Sequence, residues 1–153
     1  MALEFQVLCE DDLDNIFDYA QLQLNQFITD KEELTFLSWA ARWRREALAH
    51  YLPMGWSFVA RDDEGVMVGF FLAQPLIFFR GQAQSLWVEH IETPDTHVRQ
   101  ALVDLAIRVA KEKHLQRVLF SDVRDQTFRA ELDAYGAKLI IEPIAEIKTT
   151  KGF

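Results

Sequence analysis

The chain has 153 residues, half of them hydrophobic and 12% aromatic, and a formal net charge of −8. That length fits one domain and that apolar share supports a compact core, which excludes a disordered chain. The negative balance opposes non-specific attraction to nucleic acid or an anionic membrane, so neither is expected as a partner.

Cys9 is the only cysteine, which excludes an intrachain disulfide and a thiolate metal cluster built from one chain. The N-terminus "MALEFQVLCEDD" has no basic flank and no apolar run of leader length. The longest apolar runs, 70–73 and 76–79, are interrupted by Gln74 and Pro75 and are too short to span a bilayer. A soluble, cytoplasmic protein is expected.

Residues 3–8 predict a first strand, with Leu3, Phe5 and Val7 alternating against Glu4 and Gln6. Asp11 or Asp12 can cap the helix that follows, whose Leu13, Ile16, Phe17, Ala20 and Leu24 fall on one face. Thr29 and Glu32 have capping-box spacing, and a second helix is expected to run to about residue 50. Pro53 and Gly55 end this region.

From Trp56 the pattern turns to strands. "WSFVAR", "VMVGFFLAQPLIFF" and "AQSLWVEHIE" are joined by the turn residues "DDEG" and "RGQ", which predicts an antiparallel meander. Pro75 marks a bulge, a bend or an edge. Residues 95–113 predict a long helix, with Val98, Leu102, Leu105 and Val109 on one stripe and Asp95 or Thr96 at its start. "RVLF" follows as a strand parallel to its neighbour, because a helix connects them. Phe128 and Leu132 lie one turn apart on a last helix that Gly136 can end. "KLIIE" and "IAEIK" close the chain as strands separated by Pro143.

The expected fold class is α/β (α+β): a single domain over 1–153, with a mixed, mostly antiparallel sheet of about six or seven strands and helices on both faces. The stretch "SLWVEHIETPDTHVRQALVDLAIRVAKEKHLQRVLFSD" reads strand, short loop, long helix, strand. With the element order of the whole chain, it resembles the cofactor-binding core of the GNAT acyltransferase superfamily. That resemblance implies acetyl-CoA or another acyl-CoA as cofactor, a small-molecule amine as acceptor, and N-acyl transfer as the reaction.

The family ends a strand near V-x-P and opens the next helix with R-G-x-G-x-G or R-G-x-G-x-A, whose backbone amides hold a pyrophosphate. Here Pro94 fits, but there is no glycine between Gly81 and Gly136. By position, the resemblance assigns Ile91, Thr93, His97, Val98, Arg99, Gln100 and Asp125 to the cofactor. Two readings follow. Either the helix still offers its amides and His97 or Arg99 adds a contact, or the loop has become a helix cap and the site is gone. Asp95 would repel phosphates.

Members commonly take the amine proton with a carboxylate or an ordered water on the fourth strand. Glu89 and Glu92 are there, with His90 between them as a substrate contact. Strand alternation puts Glu89 with Trp87 and Ile91, and His90 and Glu92 with Val88. Either carboxylate suits a general base. The family's general acid is a Tyr in N-x-x-A-x-x-x-Y, four residues before G-F. Aligning on Gly136 places Asp125 at the Asn, Phe128 at the Ala and Leu132 at the Tyr, with Ala137 in place of the Phe. Tyr135 either substitutes for that acid or packs beside the helix end.

Arg42, Arg44 and Arg45 interleave with Trp39 and Trp43, an arrangement that suits arginine stems covering apolar surface. Because the family's first helices border the acceptor, Arg42 and Arg45 become candidates for an anionic acceptor. His50, His90, His97 and His114 have no helical zinc spacing, and no metal is expected. The missing glycines and tyrosine also motivate a second functional reading, a non-catalytic binding or assembly protein. Phe70, Phe71, Phe78 and Phe79 motivate a homodimer.

Overall fold

The computed structural model describes residues 2–79 and 82–150, and their side chains except those of 77–79, 82 and 83. Among the described residues there are seven strands and five α-helices: β1 Glu4–Val7, α1 Leu13–Phe27, α2 Lys31–Ala40, α3 Arg45–Tyr51, β2 Phe58–Arg61, β3 Met67–Phe79, β4 Gln82–Glu92, α4 Thr96–Glu112, β5 Arg117–Phe120, α5 Gln126–Asp133, β6 Lys138–Ile141 and β7 Ile144–Lys148. The sheet order is β1-β2-β3-β4-β5-β7-β6. The α/β class and the mixed sheet are as expected. Two compact units divide the chain: one runs to Leu72 and takes in Ile91–Arg99, and the other holds Ala73–His90 and continues from Gln100.

In the first unit, β1 pairs antiparallel with β2, and β2 with β3, ending at Phe58↔Phe71. Beyond Phe71, β3 has no residue of β2 opposite it, and Pro75 falls in that stretch, where a missing amide costs no bond on the β2 side. The core is Ile16, Ala20, Leu48, Leu52, Val59, Ala60, Phe70 and Phe71, each at most 1% exposed. Phe70 and Phe71 therefore offer no surface to a partner, and Phe78 and Phe79 lie outside the described side chains.

Four local expectations need correcting. The first strand is shorter than 3–8: it stops at Val7, which is exposed, and the buried residue is Leu8, whose amide donates to the Ser57 carbonyl at 2.8 Å. Asp12 does not cap α1 with its side chain; its carboxylate accepts the Cys9 amide at 2.9 Å and closes a short 3-10 turn over Glu10–Asp12. The cap of α2 is Asp30 rather than Thr29, with Oδ1 accepting the Glu32 amide at 3.0 Å.

The fourth correction concerns the second helix, which breaks at 41–44, where Ala41 and Arg44 are extended. The break buries Trp43, 5% exposed and edge-on to Phe17 at 5.6 Å, while Trp39 stays 76% exposed. An unbroken helix would put both indoles on one face. Burying a large apolar side chain is worth about 1.5–3 kcal/mol, which offsets the interrupted helix.

In the second unit, β5 pairs parallel with β4 and antiparallel with β7, and β6 pairs antiparallel with β7. Leu86, Val88, Val118, Leu119 and Phe120 are buried. Arg117, 7% exposed, donates to Glu146 at 2.8 Å, an ion pair from β5 to β7 that satisfies a charge otherwise costly to bury. On α4 the predicted stripe, Val98 of the first unit and Leu102, Leu105 and Val109 of the second, is buried. Phe128 and Leu132 anchor α5, and Gly136 follows its end with φ +77°, a conformation that favours glycine.

Candidate functional site

The ladder between β4 and β5 stops at Val88↔Phe120, while β4 continues through Glu92. Ser121 then takes over. Its amide donates to the Val88 carbonyl at 3.0 Å and its hydroxyl to the Glu89 carbonyl at 2.6 Å. The Glu89 side chain is half-buried, and its Oε2 accepts the Trp87 indole N–H at 2.7 Å. The two share a face, as strand alternation predicts, but the indole pins the carboxylate as well as packing beside it. His90, on the opposite face, is half-buried.

The last residues of β4 belong to the first unit. Glu92 and Thr93 are half-buried, and Ile91 is likewise. The Thr93 hydroxyl donates to the Val68 carbonyl at 2.7 Å, and its oxygen accepts the Asp95 amide at 3.2 Å. This closeness requires Gly69. A Cβ there would stand 2.9 Å from Thr93 Cβ, 3.0 Å from the Glu92 carbonyl oxygen and 3.1 Å from Val98 Cγ1.

Sequence reasoning missed Tyr19 of α1. Its ring meets Phe70 edge-on at 6.1 Å, and burial followed by the Glu92 charge pushes its hydroxyl up to about 12. The available signal was its place just before the buried Ala20, where a polar-tipped aromatic can reach past the apolar face.

The turn into α4 is capped by its own chain. Asp95 Oδ1 accepts the His97 amide at 2.8 Å and the Val98 amide at 3.3 Å. These first-turn donors would meet an anion at a helix N-terminus, and here the chain's own carboxylate uses them. An anion at this turn would have to displace Asp95 from both amides and overcome its charge. His97 and Gln100 are exposed, Arg99 is half-buried and Val98 is in the core.

The other candidates are placed as follows. Asp125 is exposed and caps α5, accepting the Thr127 amide at 2.8 Å and the Phe128 amide at 3.3 Å. The Tyr135 hydroxyl donates to Asp104 at 2.7 Å, and burial followed by that bond pushes it up to about 12. Arg45 pairs with Asp14 at 2.8 Å and lies 4.3 Å over the Phe17 ring. It lines a cavity of about 540 Å³ with Phe17, Ser38, Trp39, Arg44 and Glu46, whereas Arg42, half-buried, is not among that lining. Among the described residues no group of three or more His, Cys, Asp or Glu is placed to hold a metal ion, and no helix is long and apolar enough to cross a membrane.

No family model matches the sequence, and no curated protein does. Solved structures do match. The PaiA N-acetyltransferase of Thermoplasma acidophilum, solved with coenzyme A, is 14% identical with a TM-score of 0.71, over 97% of this chain and 99% of that one. An N-acetyltransferase of Staphylococcus aureus is 10% identical with a TM-score of 0.68, over 97% and 99%. The polyamine N-acetyltransferase of Drosophila melanogaster is 10% identical with a TM-score of 0.66, over 96% and 97%. At such identities the likeness lies in the fold, and the chain has the fold of the GNAT N-acetyltransferases.

Proposed function

We propose that the protein is an acyl-CoA-dependent N-acyltransferase acting on a small amine, with an acyl-CoA grip that departs from the family's glycine loop. The observation that carries this reading is the half-buried Glu92 carboxylate at the end of β4. The shared fold supports it, as does a similar structure solved with coenzyme A. Glu92 takes a proton from the acceptor ammonium group, and the freed amine attacks the thioester carbon. The C–N bond forms, the C–S bond breaks and its electron pair leaves on sulfur. The second amine proton reaches the thiolate through solvent, and Glu92 returns its proton to solvent. Glu89, pinned by Trp87, is the alternative base. Ile91, Thr93 and 97–100 are the stretch that meets the donor.

The reading is tested by acyl transfer from acetyl-CoA to a panel of primary amines. Turnover that falls at least a hundredfold in Glu92→Gln or Glu89→Gln supports it, in line with a lost general base. No transfer from acetyl-CoA or longer acyl-CoAs refutes it.

The Asp95 cap favours a second reading, a non-catalytic binding or assembly protein on this fold. That reading expects no transfer and an unchanged biological phenotype in the Glu89 and Glu92 variants.

A further inference from the structure

The proposed reaction can run through either of two carboxylates, and the second unit holds Glu89 from three sides. Glu89 stands just past Val88↔Phe120, the last paired residues of β4 and β5. There Ser121, 4% exposed, takes over from the ladder: its amide donates to the Val88 carbonyl at 3.0 Å and its hydroxyl to the Glu89 carbonyl at 2.6 Å. The third tie is on the side chain. Trp87, half-buried, lies two residues back on the same face of β4, and its indole N–H donates to Glu89 Oε2 at 2.7 Å.

A glutamate side chain is rich in rotamers, and each aims the carboxylate in a different direction. An indole turns about only two bonds and is a donor only, so it selects one acceptor and holds it. The bond takes one of about four lone-pair sites on a carboxylate, which leaves the group able to accept a proton. We infer that Trp87 is a positioning residue for Glu89: its N–H fixes the direction in which that carboxylate meets an acceptor ammonium group. The inference rests on the acyl-transfer reading, in the form in which Glu89 takes the amine proton. It deepens that reading by naming the group that aims the base.

Two measurements test this. In the first, Trp87→Phe keeps an aromatic ring and removes the N–H. It lowers kcat about tenfold to a hundredfold, the scale of a small misplacement of a reacting group, and leaves KM nearly unchanged. The same substitution costs nothing further in a Glu89→Gln background, because it acts only through that carboxylate. A wild-type kcat in Trp87→Phe overturns the inference. So does an equal loss in both backgrounds, which would make Trp87 a packing residue, and so does wild-type turnover in Glu89→Gln, which would leave Glu92 as the base.

The second measurement needs no turnover. The four tryptophans give four indole N–H signals in a nitrogen-15 correlation spectrum. The signal missing from Trp87→Phe moves upfield and exchanges faster with solvent in Glu89→Leu, which removes its acceptor. A signal that Glu89→Leu leaves unmoved overturns the inference, whatever the kinetics show. If that signal moves but the wild-type protein transfers no acyl group, the acyl-transfer reading itself has failed, and the positioning role falls with it.

Discussion

Asp95 accepts the His97 backbone amide at 2.8 Å through Oδ1, so the first turn of α4 is capped from within its own chain. The amides that a helix start can offer to an anion are satisfied from within, by a carboxylate.

Asp95→Gly should therefore tighten coenzyme A binding, by about tenfold if removing the carboxylate is worth about 1.4 kcal/mol. The stability cost should be only a few tenths of a kcal/mol, because glycine replaces a capping residue cheaply. Calorimetric titration of both proteins checks the first part and urea unfolding the second. Equal or weaker binding by the variant would mean that Asp95 does not compete with the phosphates.

Gly69 is a packing requirement at the same junction. Gly69→Ala drives a Cβ against Thr93, the Glu92 carbonyl and Val98. All three of these contacts involve backbone or a β-branched side chain with little room to yield. The variant should lose about 1–3 kcal/mol in chemical denaturation, the usual cost of overpacking. A variant as stable as wild type would place Thr93 farther from β3 than the structure does.

Stability should also fall steeply at high pH. Tyr19 and Tyr135 are both pushed up from 10.0 to about 12, by burial first and then by Glu92 or Asp104. Each holds its proton more tightly in the folded state, so its contribution is fully present below pH 10 and is lost as pH rises to about 12. Thermal melts from pH 8.5 upward, as a rough starting point, should show a decline between 10 and 12, with a smaller decline in Tyr19→Phe and Tyr135→Phe. A decline of the same size in all three proteins would assign the alkaline loss to other groups.

Much of the fold was legible from periodicity. The Val98, Leu102, Leu105, Val109 stripe, the turn at 62–65 and the Gly136 helix end are local signals, and the structure has each of them. The break at 41–44 was not legible, because no Gly or Pro marks it and its cause is the long-range packing of Trp43 on Phe17.

The site divides the same way. Glu89 and Glu92 are visible as carboxylates on a strand, but the Trp87 indole bond is a matter of rotamers. Tyr19 lies far from Phe70 in sequence, and only the fold brings their rings together. Asp95 was recognisable both as a possible cap and as a phosphate-repelling charge, and the fold puts it on the amides of His97 and Val98.

The most direct test of acyl-CoA use is calorimetric titration of the wild-type protein with coenzyme A. The account predicts saturable binding at one site per chain, weak enough that Asp95→Gly improves it. No heat of binding at millimolar coenzyme A, in wild type and Asp95→Gly alike, would contradict it.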